Sequence, residues 1–174
     1  MEYTFTLKYQ LADEDRDTDA LVERLGGAGC DDALVGIGQP GRLALEFTRE
    51  AADADEAVRS ALADVRRVVP SARLIEVAPD LVGLTDVAEI VGVSRQNMRK
   101  LMLAYPGSFP APVHEGSASI WHLADVLAWL QAKGSHSLAK DVLDVARIAL
   151  QVNVAKEGQR LPQSASKELQ ALVR

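Results

Sequence analysis

The stretch LTDVAEIVGVSRQNMRKLM, Leu84 to Met102, punctuates itself as two short helices joined by a tight turn. Thr85 is a good N-cap, and Asp86 suits the positive end of the first helix dipole. Val87, Ile90 and Val91 make an apolar stripe at helical spacing. Gly92 ends that helix where the backbone needs positive φ. Ser94 then caps a second helix, with apolar positions at Met98, Leu101 and Met102. Ala88, four residues before Gly92, is small enough to let the second helix close over the first. Arg95, Gln96, Asn97, Arg99 and Lys100 are left to water. Hydrogen-bond donors and cations on one helix suit phosphates and base edges in a major groove.

Ala88, Gly92, Val93, Met98 and Leu101 fall in the register of a helix-turn-helix, which the segment resembles. An unrelated helical hairpin would share the caps and the periodicity. Working outward, Ala104 to Pro112 (AYPGSFPAP) carries prolines at alternate positions, 110 and 112, which enforce an extended chain. Val113 to Trp121 (VHEGSASIW) has the form of a small hairpin turning near Glu115-Gly116. A helix over Leu123–Gln131 buries Val126, Leu127, Trp129 and Leu130. At these spacings Trp121 and Trp129 read as core anchors, not stacking platforms.

This succession resembles the winged helix-turn-helix of the AlpA and excisionase group, related to the MerR-type DNA-binding head. The match runs from about residue 81 to 131, under a third of the chain. The resemblance implies a second helix entering the major groove and a hairpin acting as a wing. Its DNA-contact candidates are Ser94, Arg95, Gln96, Asn97, Arg99 and Lys100. Among these, Gln96 and Asn97 could read adenine, and Arg95 or Arg99 guanine or phosphate. Wings of that group commonly carry arginines, whereas this one offers His114, Ser117 and Ser119 beside the acidic Glu115. Such a wing releases few counterions and contributes little to affinity.

Upstream, Tyr3, Phe5, Leu7 and Tyr9 alternate with Thr4, Thr6, Lys8 and Gln10, the pattern of a half-buried strand. Asp17 or Thr18 can cap a helix carrying Leu21, Val22 and Leu25. Ala33–Gly38 and Leu43–Thr48 read as a hairpin around Gln39-Pro40-Gly41. Asp53 and Asp55 open a longer helix ended by Pro70, and Arg73–Val77 is a last strand. Strand, helix, strand, strand, helix, strand is the ferredoxin-like βαββαβ order, with two helices on one face of an antiparallel sheet. The expected fold class is therefore α+β: a ferredoxin-like domain over residues 1–79, the winged helix-turn-helix over 81–131, and a C-terminal helical segment over 137–174. That last segment holds a long helix, Leu138–Ala155, with Leu138, Val142, Val145, Ile148, Ala149 and Val152 on one stripe, and a short one, Ser166–Val173. The stripe has no obvious core of its own. It either packs back on the head or pairs with a second subunit, and dimerisation through this segment, the N-terminal sheet, or both is the expectation.

Composition narrows the partners. The 174 residues are 48% hydrophobic and 5% aromatic, so the cores are mostly aliphatic. The net charge is −6, but residues 1–80 hold 9 Lys and Arg against 17 Asp and Glu, while residues 81–174 hold 10 against 8. The acidity belongs to the first module and not to the reading head. The lone Cys30 excludes an internal disulfide and fits a reducing cytoplasm. No apolar run approaches the roughly 18 residues that span a bilayer, and no signal pattern opens the chain. Gly26-Gly27-Ala28-Gly29 follows a helix and lacks a following Lys-Ser/Thr, so it reads as a helix stop and not as a nucleotide loop. The acidic run Asp13–Asp19 reads as a solvated loop, and His122 and His136 have no catalytic partner in sequence.

No metal, no cofactor and no catalytic residues are expected; an enzyme housed in the first module lacks any nucleophile–base pair. The functional expectation is a cytoplasmic, sequence-specific binder of double-stranded DNA, a transcriptional regulator of bacterial or phage type acting as a homodimer. A protein partner or a small-molecule effector would engage the N-terminal domain. The alternative is a protein-interaction or scaffold module on a helix-turn-helix that has lost DNA binding.

Overall fold

In the computed structural model, which describes residues 1–134, 136–161 and 167–173, the alternating N-terminus forms β1 (Glu2–Gln10). Its apolar residues all turn to one side, because successive strand side chains point to opposite faces. The chain continues through α1 (Thr18–Gly26), β2 (Ala33–Gly36), β3 (Arg42–Glu50), α2 (Ala54–Val68) and β4 (Arg73–Ala78). The four strands form an antiparallel sheet in the order β2-β3-β1-β4. Phe5 faces Phe47, Leu7 faces Leu45 and Tyr9 faces Leu43, and the two phenylalanine rings stack at 5.4 Å. The other face of the sheet is polar and open, with Glu2, Thr4, Gln10, Arg42, Glu46, Thr48 and Glu50 exposed.

Carboxylates start both helices. Asp17 accepts from the Ala20 N–H at 3.2 Å and Asp53 from the Glu56 N–H at 2.8 Å, satisfying amides that have no partner within the helix. Glu56 also reaches back to the Ala52 N–H. On α1, Leu21 and Leu25 are buried while Val22, grouped with them in the sequence, is 39% exposed.

A short second sheet, β5-β7-β6, follows: β5 (Leu81–Val82) pairs with β7 (Ser119–His122), which pairs with β6 (His114–Glu115). Between β5 and β6 lie α3 (Leu84–Val91) and α4 (Arg95–Ala104), and after β7 comes α5 (Leu123–Lys133). Val82, Leu84, Val87, Met98, Trp121 and the buried face of α5 form a second core. The sequence offers no strand at Leu81–Val82. Two residues are too few to show alternation, and only the pairing with His122 and Trp121 makes them one.

The long helix is α6 (Lys140–Gly158), and it resolves the question of what its apolar stripe covers. Val145, Ile148 and Ala149 join the core of the first sheet, whereas Leu143 and Ala146 join the second core. Three helices, not two, therefore pack on the first sheet, and the third also backs the second module. The stripe is filled by its own chain.

Helix α6 also covers an exposed strand edge. Asn153 accepts from the Val77 N–H and donates to the Val77 C=O, both at 2.8 Å, so its amide copies the pairing of a neighbouring strand. Lys156 donates to the Ile75 C=O one pleat away. Open edges invite pairing with other chains, and this one is closed by side chains. A last short helix, α7 (Lys167–Leu172), carries exposed Leu169 and Leu172. The expected helix start at Ser166 lies outside the described residues. Among the described residues no helix is long and apolar enough to cross a membrane.

Candidate nucleic-acid interface

The α3–α4 pair takes its shape from its caps. Helix α3 begins one residue after Gly83, whose N–H donates to Asp86 at 2.9 Å. Thr85, the expected N-cap, lies inside the first turn instead. The reason is local: Leu84 is buried and draws the helix start upstream, and the Asp86 carboxylate reaches back to do the capping. Ile90 also leaves the expected stripe. Leu84, Val87, Ala88 and Val91 share one side, and Ile90 lies at the edge of that stripe, 37% exposed.

Gly92 adopts φ +80°, and its N–H bonds to the carbonyls of Ala88 and Glu89. A Cβ there would touch nothing within 4 Å. The left-handed backbone, not crowding, is what asks for glycine. Val93 N–H closes on the Ala88 carbonyl at 2.9 Å, completing the turn. Ser94 then accepts from the Asn97 N–H at 3.1 Å, and its own hydroxyl proton stays available.

Met98, 1% exposed, anchors α4 to the second core, with Leu101 and Met102 packed against that core. Arg95, Gln96, Asn97, Arg99 and Lys100 are all exposed. Helical rotation puts Gln96, Lys100 and Leu103 opposite Met98, with Arg99 beside them and Arg95 and Asn97 on the two flanks. Leu103 is 59% exposed, an apolar residue on a polar strip that the sequence reading leaves unassigned. Its signal is a leucine seven residues after Gln96, in phase with the polar side. Among the described residues no carboxylate forms an ion pair with Arg95, Arg99 or Lys100. The helix thus presents a hydrated positive surface on a rigid, core-anchored axis.

The hairpin is held by tryptophans. Trp121 donates to the Pro110 carbonyl at 3.0 Å and meets Phe109 edge-on, and Phe109 in turn meets Trp129 at 5.1 Å. Both tryptophans therefore act as anchors for the proline segment. Trp129 is only half-buried, and Lys133 lies 3.7 Å from the neighbouring Tyr105 ring and 5.4 Å from that of Trp129. At the hairpin tip His114 and Ser117 are exposed, whereas Ser119 is half-buried opposite Glu115. The His114 ring lies over Gly116, where a Cβ would come within 2.6 Å of Nε2.

One cluster of residues escaped the sequence. Asp80, whose side chain is fully buried, takes His122 Nδ1 at 2.7 Å and Asn153 Nδ2 at 2.8 Å on its two carboxylate oxygens. Its backbone carbonyl accepts from the Leu123 N–H. The linker, the start of α5 and the far end of α6 meet there. Partners 42 and 73 residues apart leave no local trace, although an asparagine in phase with Ala146 and Ala149 on an apolar helix face is a weak cue. Between α1 and β2, Cys30 is buried and its thiol is pushed above its ordinary range, chiefly by burial and then by the nearby Asp64 charge.

No family model matches the chain, and neither a curated protein nor a solved structure does.

Proposed function

We propose that the chain is a sequence-specific, double-stranded DNA-binding protein, a transcriptional regulator of bacterial or phage type that works in the cytoplasm as a homodimer. In this reading residues 1–79 are a ferredoxin-like domain, consistent with the strand order β2-β3-β1-β4. Residues 81–131 are a winged helix-turn-helix of the AlpA and excisionase kind, with α4 as recognition helix and β6–β7 as wing. The observation that carries the reading is the exposed set Arg95, Gln96, Asn97, Arg99 and Lys100, whose cations have no acidic partner among the described residues, on a helix anchored by Met98.

The mechanism is non-catalytic. Ser94, Lys100 and Arg99 contact phosphates and set register, while Gln96, Asn97 and Arg95 address base edges. Leu103 adds an apolar contact suited to a thymine methyl. Two copies place two such helices in successive major grooves about 34 Å apart. Because the α6 stripe is filled within the chain, the dimer forms through α7, the open sheet face, or both. A protein partner or small effector acts through the N-terminal domain.

The test is fluorescence anisotropy on a genomic-fragment library. Arg95→Ala and Arg99→Ala are each expected to weaken binding about tenfold, and each to lower the salt slope by about one. Binding untouched by both substitutions overturns the assignment. A second reading, an interaction module without DNA affinity, draws on a hairpin that carries Glu115 and no lysine or arginine from 113 to 122. It requires that the wild-type chain show no salt-sensitive DNA binding at all.

A further inference from the structure

The buried Asp80 sits at the inner wall of a cleft of about 640 Å³ between β5, β7 and the last turns of α6. Leu81, Val154 and Leu161 line it, and all three leave much of their apolar surface in water. Gly158 and the His122 ring complete the wall. That volume lies within the range of small-molecule sites, which are mostly apolar with a few fixed polar groups.

The polar group here is oriented from behind. The fully buried Asp80 carboxylate holds His122 Nδ1 on one oxygen and Asn153 Nδ2 on the other, which fixes the imidazole ring in place. Accepting from Nδ1–H selects the tautomer in which Nε2 of the neutral ring carries the lone pair. No hydrogen-bond partner meets Nε2 among the described residues. The rim charges do not ask for a counter-ion, since Glu157 pairs with Lys156 and, at 3.1 Å, with Arg160. An uncharged ligand fits this balance better than an ion.

We propose that this cleft is a binding site for a neutral, largely apolar small molecule bearing one hydroxyl, which donates to His122 Nε2 while Leu81, Val154 and Leu161 cover its body. The site stands independently of DNA binding. Its walls come from the strand that precedes α3, the strand that precedes α5, and α6, so an occupant touches the helix that the two cores share and two strands of the second sheet.

The probe is 4-propylphenol, titrated into the full chain and followed by NMR of the histidine ring and the leucine and valine methyls. Saturable shifts are expected at His122, Leu81, Val154 and Leu161. The methyl ether 4-propylanisole, which cannot donate, is expected to bind about tenfold more weakly. His122→Phe would leave one buried Asp80 oxygen without its partner and could unfold the junction. Val154→Arg, at a residue 56% exposed, fills the cleft and leaves the Asp80 bonds alone. Loss of the shifts in folded Val154→Arg supports the site. Absence of saturable shifts in the wild type, equal affinity for phenol and ether, or undiminished binding in Val154→Arg overturns it.

Discussion

Arginine is used in opposite ways in the two modules. In the first, Arg49 is 8% exposed and bonds to Asp32 at 2.7 Å, to Asp64 at 2.8 Å, to Ser60 and to the Gly29 carbonyl, with its guanidinium 4.9 Å from the Phe47 ring centroid. Arg24, Arg59 and Arg67 also lie on carboxylates. On α4, Arg95 and Arg99 stand in water with no acidic partner among the described residues. Six of the nine cations in the first 80 residues, Lys8, Arg16, Arg24, Arg49, Arg59 and Arg67, lie on carboxylates, while α4 itself contains no acidic residue. The same residue type is structural where carboxylates are dense and available where they are absent. Counting charges over the whole chain hides both facts.

The largest expected effect breaks the structural side of that contrast. Arg49→Met leaves the half-buried Asp32 without a cation and Asp64 with Arg67 alone, and should cost about 3–5 kcal/mol in urea unfolding. A cost near zero would mean that the knot is as loosely held as a surface pair.

Asn153→Leu comes next. It keeps the volume but strips the Val77 amide and carbonyl and one Asp80 oxygen of their partner. About 2–3 kcal/mol is expected by the same measurement, since buried groups lose their bonds without regaining water. Gly92→Ala forces an alanine to φ +80°, and should cost about 1–2 kcal/mol by thermal unfolding. It should also weaken DNA binding if the angle between α3 and α4 matters.

Smaller still, Arg95→Ala and Arg99→Ala should leave stability within about 0.5 kcal/mol, because both side chains are exposed and neither forms an ion pair among the described residues. A larger loss would show that these cations are structural after all. The last effect concerns acid. A Ser71 hydrogen bond, then Arg24, holds the Asp15 carboxyl below its ordinary value. Its contribution is therefore present above about pH 4 and lost as pH falls through the lowered folded value. Asp15→Asn should fall short of the wild type at neutral pH and converge with it on the acid limb of a stability–pH curve.

Much of the architecture could be read directly. Alternation over Tyr3–Tyr9 is a strand whatever it meets, and Asp17, Asp53, Gly92 and Ser94 act within three or four residues of themselves. The five α4 donors were legible for the same reason, since helical phase and the burial of Met98 put them outside. Thr85 was misread because the burial of Leu84 draws the helix start upstream to Gly83, which no local pattern announces.

By itself the amino-acid sequence determined the local elements, the acidic-to-basic change near residue 80, and the composition of the exposed helix. Those depend on backbone propensity, side-chain period and charge, all of which act at short range. Tertiary structure alone decided where α6 goes, that Leu81–Val82 is a strand, and that Asp80, His122 and Asn153 meet. An apolar stripe states that something must cover it but not what. The answer came from two cores that each had room on one side, and only the folded chain brings both to the same helix.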